Sequence, residues 1–352
     1  MLLVALGLAA GCQAPERGPM EIRAFEMLDP RDSAHHMIMD VTSGGVRLAA
    51  ADGVHVSPVF ERDGWQAPLT FDELLLSWNV DVPTDAGFCV EIQVAQGEDW
   101  SPWLYIGDWG RALDKSERVT EFEHGKVSID IFRGTQHFDR ARYRVRGLGG
   151  DGELVVRLVA LSFTDTNFRT PTNQPAWDWF EQPRPLHVPT RSQRTEDEAI
   201  AGRICSPTSV SMVMEYHGVD VPTAELAADI YDPVHDIYGI WPRAIQAAHA
   251  RGVPGYLMRF SSWRDVEAKV AALPIVISIR AREGELQGAP YPSTSGHLLV
   301  LCGFDRKGRA LVNDPAAPDT ESVRRVYARE DLERVWLANG GIAYVFGPPH
   351  KP

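Results

Sequence analysis

Alternating apolar and polar positions recur through the first half of the chain, from about Val41 to Thr164. Residues typical of turns, chiefly Gly, Pro and Asp, separate these runs. Antiparallel strands with one buried face produce such alternation, so residues 41–164 are predicted to form an N-terminal all-β sandwich of jelly-roll type. The clearest predicted strands are Glu73–Val80, Phe88–Val94, Lys126–Phe132, Tyr143–Arg146 and Leu154–Leu161.

The pattern changes after Val188, where helical spacing precedes further strands. In the stretch from Ile204 to Gly218, Ser206 can cap a helix, Pro207 fits its first turn and Gly218 can end it. Helices followed by antiparallel strands predict an α+β domain over residues 188–348. Further helices are predicted at Ala224–Tyr231 after a Thr223 cap, Arg243–Ala250, Trp263–Ala272 after a Ser262 cap, and Glu330–Leu337, with strands at Pro274–Ile279, Gly296–Phe304, Ala310–Asp314 and Ile342–Phe346.

The segments outside these two domains have other compositions. Residues 165–187 are rich in proline and are predicted to be a linker, and residues 13–40 a tether. Residues 1–12 form a short apolar run, and its end, from Leu8 to Cys12, is similar to the lipobox of bacterial lipoproteins. This resemblance implies export to the cell envelope, periplasmic or cell-surface, with a lipid anchor on Cys12 as the only membrane contact. A plain export signal and a cytosolic location are the alternatives.

Length and charge narrow the class of protein. The 352 residues are enough for two domains, and the net charge of -13 argues against a nucleic-acid-binding surface. An aromatic cluster at Trp100, Trp103, Tyr105 and Trp109 is read either as packing or as a platform for a glycan, with packing the simpler interpretation.

The cysteines and histidines point away from metal binding. Beyond Cys12 the cysteines are Cys89, Cys205 and Cys302, an odd number without CxxC spacing. Neither a disulfide framework nor a zinc site is therefore indicated, and at least one thiol should stay free. The histidines at 217, 235 and 249 lack the spacing of metal ligands, so the sequence implies neither a metal nor a cofactor.

Cys205 is the candidate nucleophile, because it precedes the first turn of a predicted helix. The unpaired amides and the dipole at that end favour a thiolate, which attacks carbonyl carbon. Upstream, Gln193 could donate its amide N–H, together with the backbone N–H of Cys205, to the oxyanion of a tetrahedral intermediate.

The hairpin that follows supplies a base and a carboxylate. With residues 305–308 as the turn, Phe304 faces Arg309 and, in the same register, Leu299 faces Asp314. His297 shares a face with Leu299, so the Asp314 carboxylate is predicted to lie diagonally beside the imidazole. A carboxylate on Nδ1 would orient the ring and leave Nε2 to take the thiol proton.

At these residues the chain resembles the C39-like cysteine peptidases, which have a papain-like fold. The resemblance rests on Gln193, on Cys205 to Ser209 at a helix start, on Gly296-His297, and on Val312 to Pro315. It covers about residues 188–348 and implies the roles of nucleophile, base, orienting carboxylate and oxyanion donor for Cys205, His297, Asp314 and Gln193. Many relatives have glycine where this chain has Ser206. Bacteriocin-processing members place the glutamine closer to the cysteine and carry a transporter, so leader-peptide processing is not implied.

The resulting hypothesis is an exported cysteine peptidase that hydrolyses a peptide or amide bond through a Cys-His-Asp triad and a thioester. Its partner would be a peptide or protein substrate, with a possible glycan or cell-envelope ligand for the β-domain. The alternatives are an amidase or acyl transferase acting on cell-wall peptide, and a non-catalytic lipoprotein that binds glycan or protein. Substrate specificity is expected to lie in loops such as Arg282 to Ser295.

Overall fold

The computed structural model describes residues 35–62, 68–113, 117–167 and 185–348. The predicted signal segment with Cys12, residues 13–34 of the predicted tether and residues 168–184 of the predicted linker lie outside the described residues. The described chain is mostly β-strand with few helices, and an N-terminal domain precedes the C-terminal one. Among the described helices, none has the length and apolar character needed to cross a membrane.

The N-terminal domain consists of two antiparallel sheets. One has the order β1-β11-β3-β9-β8-β7, and the other has the order β2-β10-β4-β5, with β6 pairing β4. A hydrophobic cluster that includes Phe71, Trp78, Phe88 and Phe163 draws on strands of both sheets and forms the core. The strands are β1 (His35–Ala49), β2 (Val54–Val56), β3 (Phe71–Asp81), β4 (Gly87–Gln96), β5 (Asp99–Trp100), β6 (Leu104–Gly110), β7 (Glu121–Phe122), β8 (Gly125–Ser128), β9 (Ile131–Phe138), β10 (Arg140–Gly149) and β11 (Glu153–Thr164).

Two features of this domain differ from the sequence prediction. Strand β1 begins at His35, inside the segment assigned to the tether. The predicted strand Lys126–Phe132 is wrong, because β8 ends at Ser128 and β9 begins at Ile131. Ile129 has a φ of 62° and turns the chain between them. A two-residue turn preserves the alternation of apolar and polar positions, which is why the pattern read as one strand.

The C-terminal domain is one six-stranded antiparallel sheet with helices packed against it, in the strand order β12-β17-β13-β14-β15-β16. Its strands are β12 (Gly255–Arg259), β13 (Ile275–Ala281), β14 (Thr294–Phe304), β15 (Ala310–Asn313), β16 (Arg324–Tyr327) and β17 (Ile342–Phe346). Its helices are α1 (Glu198–Ala201), α2 (Cys205–Tyr216), α3 (Thr223–Ile230), α4 (Trp241–Ala250), α5 (Trp263–Val270) and α6 (Arg329–Val335).

The helix ends confirm part of the prediction. Ser262 caps α5 by accepting a hydrogen bond from the Asp265 N–H, and Gly218 follows α2 with a φ of 86°, as a helix-ending glycine does. The predicted Ser206 cap is wrong, because α2 already begins at Cys205 and the Ser206 hydroxyl lies 3.2 Å from the Tyr344 hydroxyl. Thr223 is likewise the first residue of α3 and not its cap.

The register of the β14–β15 hairpin combines two departures from the predicted one. Phe304 pairs with Ala310 and not with Arg309, so the turn is one residue longer than predicted. A bulge at Cys302 then shifts the register back, and Val300 pairs with Asn313. Continuing this register by one residue brings Asp314 beside Leu299, as predicted, because the two departures cancel.

Side chains of each domain form hydrogen bonds with the backbone of an edge strand in the other domain. Strand β9 pairs with β3 only as far as Leu75, and among the described residues no other strand pairs with the rest of that edge. The buried side chain of Gln246 on α4 fills the gap, accepting from the Val80 N–H at 2.9 Å and donating to the Val80 carbonyl at 2.8 Å. In return, Asn79 bonds both the N–H and the carbonyl of Gly255 on the edge strand β12.

Charged pairs cross the same interface. Arg259 on β12 is buried and donates to Glu73 on β3 at 2.6 Å. The Nε2 of His249 on α4 lies 2.8 Å from the Asp81 carboxylate, and this hydrogen bond lowers the pKa of Asp81. The N-terminal domain is therefore joined to the C-terminal one by specific polar contacts.

Candidate active site

Cys205 is the first residue of α2 and is half-buried. Pro207 fits the first turn, where its missing N–H is not needed, so the helix can start at the cysteine. Burial acts to raise the pKa of the Cys205 thiol, but a hydrogen bond with His297 and the backbone N–H groups of Leu298 and Ser206 outweigh it. The net effect lowers the pKa of the thiol, which favours the thiolate.

His297 lies on β14 and is buried, with its ring between the thiol and a carboxylate. Its Nε2 is 2.8 Å from Oδ1 of Asp314, a side chain with no exposed surface, just after β15. This leaves Nδ1 for the sulfur of Cys205. The predicted assignment of the two ring nitrogens is therefore wrong. Nε2, the nitrogen farther from the backbone, reaches the carboxylate across the sheet, while α2 brings the sulfur to Nδ1.

Three further groups bond Asp314, and sequence reasoning predicted none of them. The hydroxyls of Tyr291 and Tyr327 donate to Oδ2 at 3.0 Å and 2.7 Å, and the Ala316 N–H donates to Oδ1 at 3.0 Å. The Tyr291 ring also meets the His297 ring edge to face, with centroids 4.9 Å apart. Tyr291 lies in the loop predicted to set specificity, but neither tyrosine has a sequence spacing that would have singled it out.

The electrostatics of this group favour a charged pair. Burial acts to lower the pKa of His297, but the Asp314 charge and the hydrogen bonds to Asp314 and Cys205 raise it to about 10. Burial acts to raise the pKa of Asp314, and His297 and the hydroxyl of Tyr327 hold it below its usual value. A protonated imidazole beside a thiolate and an ionised carboxylate is the arrangement that these directions describe.

Gln193 is placed next to this group and is buried. Its backbone N–H bonds the carbonyl of Pro315, the residue after Asp314, at 2.9 Å. Its Nε2 donates to the carbonyl of Ala201 at 2.8 Å, four residues before Cys205, and its Oε1 has no hydrogen-bond partner in the part of the chain that the structure describes. An amide nitrogen has two hydrogens, so one N–H of Gln193 stays available to an incoming acceptor.

The other reactive groups lie elsewhere. Cys89 and Cys302 are buried, no disulfide joins the cysteines of the described residues, and burial raises the pKa of Cys302 to about 12. Within the described ranges, Asp72, His137 and Asp165 could offer ligand atoms to a metal, since these atoms lie within 4.8 Å of one another. This group is in the N-terminal domain, where Thr166 and Asn167 already bond it.

The four rings of the aromatic cluster are not all part of the hydrophobic core of the N-terminal domain. All four are half-buried, and only Trp109 packs against the hydrophobic core of the domain. Arg142 lies over Trp100 and Arg144 over Trp103, each guanidinium carbon 4.5 Å from the ring centroid. The packing interpretation therefore fits Trp109, and cation–π contacts account for these two tryptophans.

Two family models match parts of the chain. Residues 185–344 match the model of the Peptidase_C39 like family, and residues 53–159 match the model described as Peptidase C39 N-terminal domain. The C-terminal domain belongs to the C39-like peptidase family, and its N-terminal partner is a domain of the kind found with such peptidases.

Among the solved structures that are similar to part of the chain is the peptidase domain of Streptococcus ComA, a bi-functional ABC transporter involved in a quorum-sensing pathway. The identity is 15%, the match covers 46% of this chain and 99% of that one, and the TM-score is 0.33. No curated protein sequence matches the chain.

Proposed function

We propose that the protein is a cysteine peptidase in which Cys205 is the nucleophile, His297 the general base and acid, and Asp314 the orienting carboxylate. The observation that carries the proposal is the 2.8 Å contact between His297 Nε2 and Asp314 Oδ1, on a ring whose other nitrogen serves the Cys205 thiol. Membership of the C39-like family supports the same reaction class.

The reaction proceeds in two halves. The Cys205 thiolate attacks the carbonyl carbon of the scissile amide, and the oxyanion is received by the free N–H of Gln193 and the backbone N–H of Cys205. Nδ1–H of the His297 imidazolium then protonates the leaving amine, and the C–N bond breaks to leave a thioester. Nδ1 next takes a proton from water, the hydroxide attacks the thioester, and the acid product leaves as the thiolate re-forms.

The strand order and the N-terminal sequence support more specific proposals about the fold and the location of the protein. The order β1-β11-β3-β9 against β2-β10-β4-β6 supports a jelly-roll sandwich, and the helix that carries Cys205, packed on an antiparallel sheet, supports a papain-like fold. The apolar run ending at Cys12 supports export with a lipid anchor. The substrate is a peptide or protein that reaches the site from solvent.

Thiol labelling tests the reaction class. A peptidyl vinyl sulfone is expected to label Cys205 in the wild type and in a Cys89→Ala, Cys302→Ala double variant, and to lose this label in His297→Ala. Cleavage-site profiling of a peptide library should then give products with wild type and none with Cys205→Ala. The labelling is repeated at pH values from about 5 to about 9, a range that includes the ordinary pKa of a thiol. A Cys205 that stays unlabelled throughout this range would contradict the proposal.

A further inference from the structure

The tip of the β8–β9 hairpin of the N-terminal domain inserts into the C-terminal domain. Its residue Asp130 is 6% exposed and accepts a hydrogen bond at 2.9 Å from the backbone N–H of Trp241, at the start of α4. The next residue, Ile131, belongs to the same hydrophobic cluster as Val210, Val213 and Tyr344 of the C-terminal domain. The tip is therefore held by a buried carboxylate and an apolar side chain.

This anchored tip lies on the nucleophile side of the C-terminal domain. The Tyr344 hydroxyl is 3.2 Å from Oγ of Ser206, the residue after Cys205. Burial raises the pKa of Tyr344, and the nearby charges of Asp130 and Cys205 raise it further. Cys205 and Trp241 also pack against one common cluster. Tyr344 thus stands between the hairpin tip and the helix start that carries the nucleophile.

Ile129 precedes Asp130 and has two unfavourable properties. Its φ of 62° is a genuine outlier for a β-branched residue, since Cβ crowds the backbone there. Its side chain is 48% exposed, so burial in the described structure does not offset the strain. Strained backbone of this kind clusters at ligand contacts, and an exposed aliphatic side chain gains stability only when something covers it.

We propose that the hairpin tip forms one wall of the substrate cleft and that Ile129 is a specificity-determining residue, covered by an apolar side chain of the bound peptide. The inference rests on the proposed peptidase function. It makes the N-terminal domain part of the substrate-binding surface, with Asp130 fixing the tip so that Ile129 faces the substrate.

Ile129→Asn tests this inference because Asn tolerates a positive φ, so the variant is expected to fold as well as the wild type. Two probes are compared on each protein. Iodoacetamide needs only the Cys205 thiolate, whereas peptidyl vinyl sulfones with either a leucine or a glycine near the reactive group also need the cleft. Val54→Asn is the matched control, because Val54 is an aliphatic residue of the same domain that is 56% exposed.

For Ile129→Asn we expect an unchanged iodoacetamide rate, a roughly tenfold lower rate with the leucine probe and little change with the glycine probe. Val54→Asn should match the wild type with all three. If Ile129→Asn keeps the wild-type preference for leucine over glycine, the inference is wrong although the peptidase function stands. If the wild type reacts with iodoacetamide but with neither peptidyl probe, the proposed function itself fails and the inference fails with it.

Discussion

Replacement of Asp314 by Asn should shift the charge state of the nucleophile pair. The amide can still accept a hydrogen bond from His297 Nε2, but it carries no charge. The pKa of His297, about 10, lies well above the ordinary 6.5. At 1.36 kcal/mol for each pKa unit, this difference is roughly 5 kcal/mol, to which Asp314 and Cys205 both contribute. Loss of the Asp314 charge should therefore cost the thiolate–imidazolium pair on the order of 2 kcal/mol, or roughly thirtyfold in population.

The assay is the rate of Cys205 alkylation by iodoacetamide as a function of pH, in a Cys89→Ala, Cys302→Ala background. The wild type should keep a reactive thiolate at pH values below the ordinary thiol pKa, because the pKa of Cys205 is lowered, and the imidazolium should lose its proton only near pH 10. In Asp314→Asn the acid limb should move to higher pH, and the alkaline limb that peptide turnover shows should move to lower pH. Superimposable profiles for the two proteins would refute the reasoning.

Four further outcomes are expected. Gln193→Ala should lower kcat/KM for a peptide roughly 100- to 1000-fold while leaving iodoacetamide labelling unchanged, and equal losses in both would argue against an oxyanion role. Tyr291→Phe should keep the ring contact with His297 but remove one hydrogen-bond donor to Asp314, so we expect a severalfold lower kcat with an unchanged KM. A change in KM alone would indicate instead that Tyr291 contacts the substrate. Gln246→Ala should lower the free energy of urea unfolding by about 2–4 kcal/mol, because it leaves the Val80 N–H and carbonyl without their partner. As a control, Gln287→Ala, which changes an exposed side chain, should lower it by less than about 0.5 kcal/mol. Cys302→Ala should leave peptide turnover at the wild-type level, since burial raises the pKa of that thiol to about 12, and a lost activity would contradict the assignment of Cys205 alone.

Local chemistry made parts of the fold predictable. A glycine at 218 and a serine at 262 each act within one helical turn, so the end of α2 and the start of α5 could be read from the chain, whereas α2 begins at Cys205, one residue before the predicted cap, Ser206. The β14–β15 hairpin could be predicted because its turn is short. Its register came out right only because a longer turn and a bulge at Cys302 offset each other.

Contacts between distant segments could not be read in this way. Tyr291 and Tyr327 reach Asp314 because a loop and a separate strand converge on it, and neither has a fixed spacing from His297. The choice of ring nitrogen depends on the direction from which α2 approaches β14, which sequence patterns do not encode. The position of Asp130 could not be predicted either, because the chain turns at Ile129, where φ is positive, within a segment that the sequence pattern predicts as one continuous strand.

The exchange of hydrogen bonds between β3 and β12 has a consequence for how the chain can be divided. A fragment that keeps only the N-terminal domain would expose the outer edge of β3, and one that keeps only the C-terminal domain would expose the outer edge of β12. Bare strand edges recruit other strands, so each fragment would tend to pair with copies of itself. The boundary between the regions that the two family models match is therefore not a suitable place to divide the chain, and recombinant expression should keep both domains in one polypeptide.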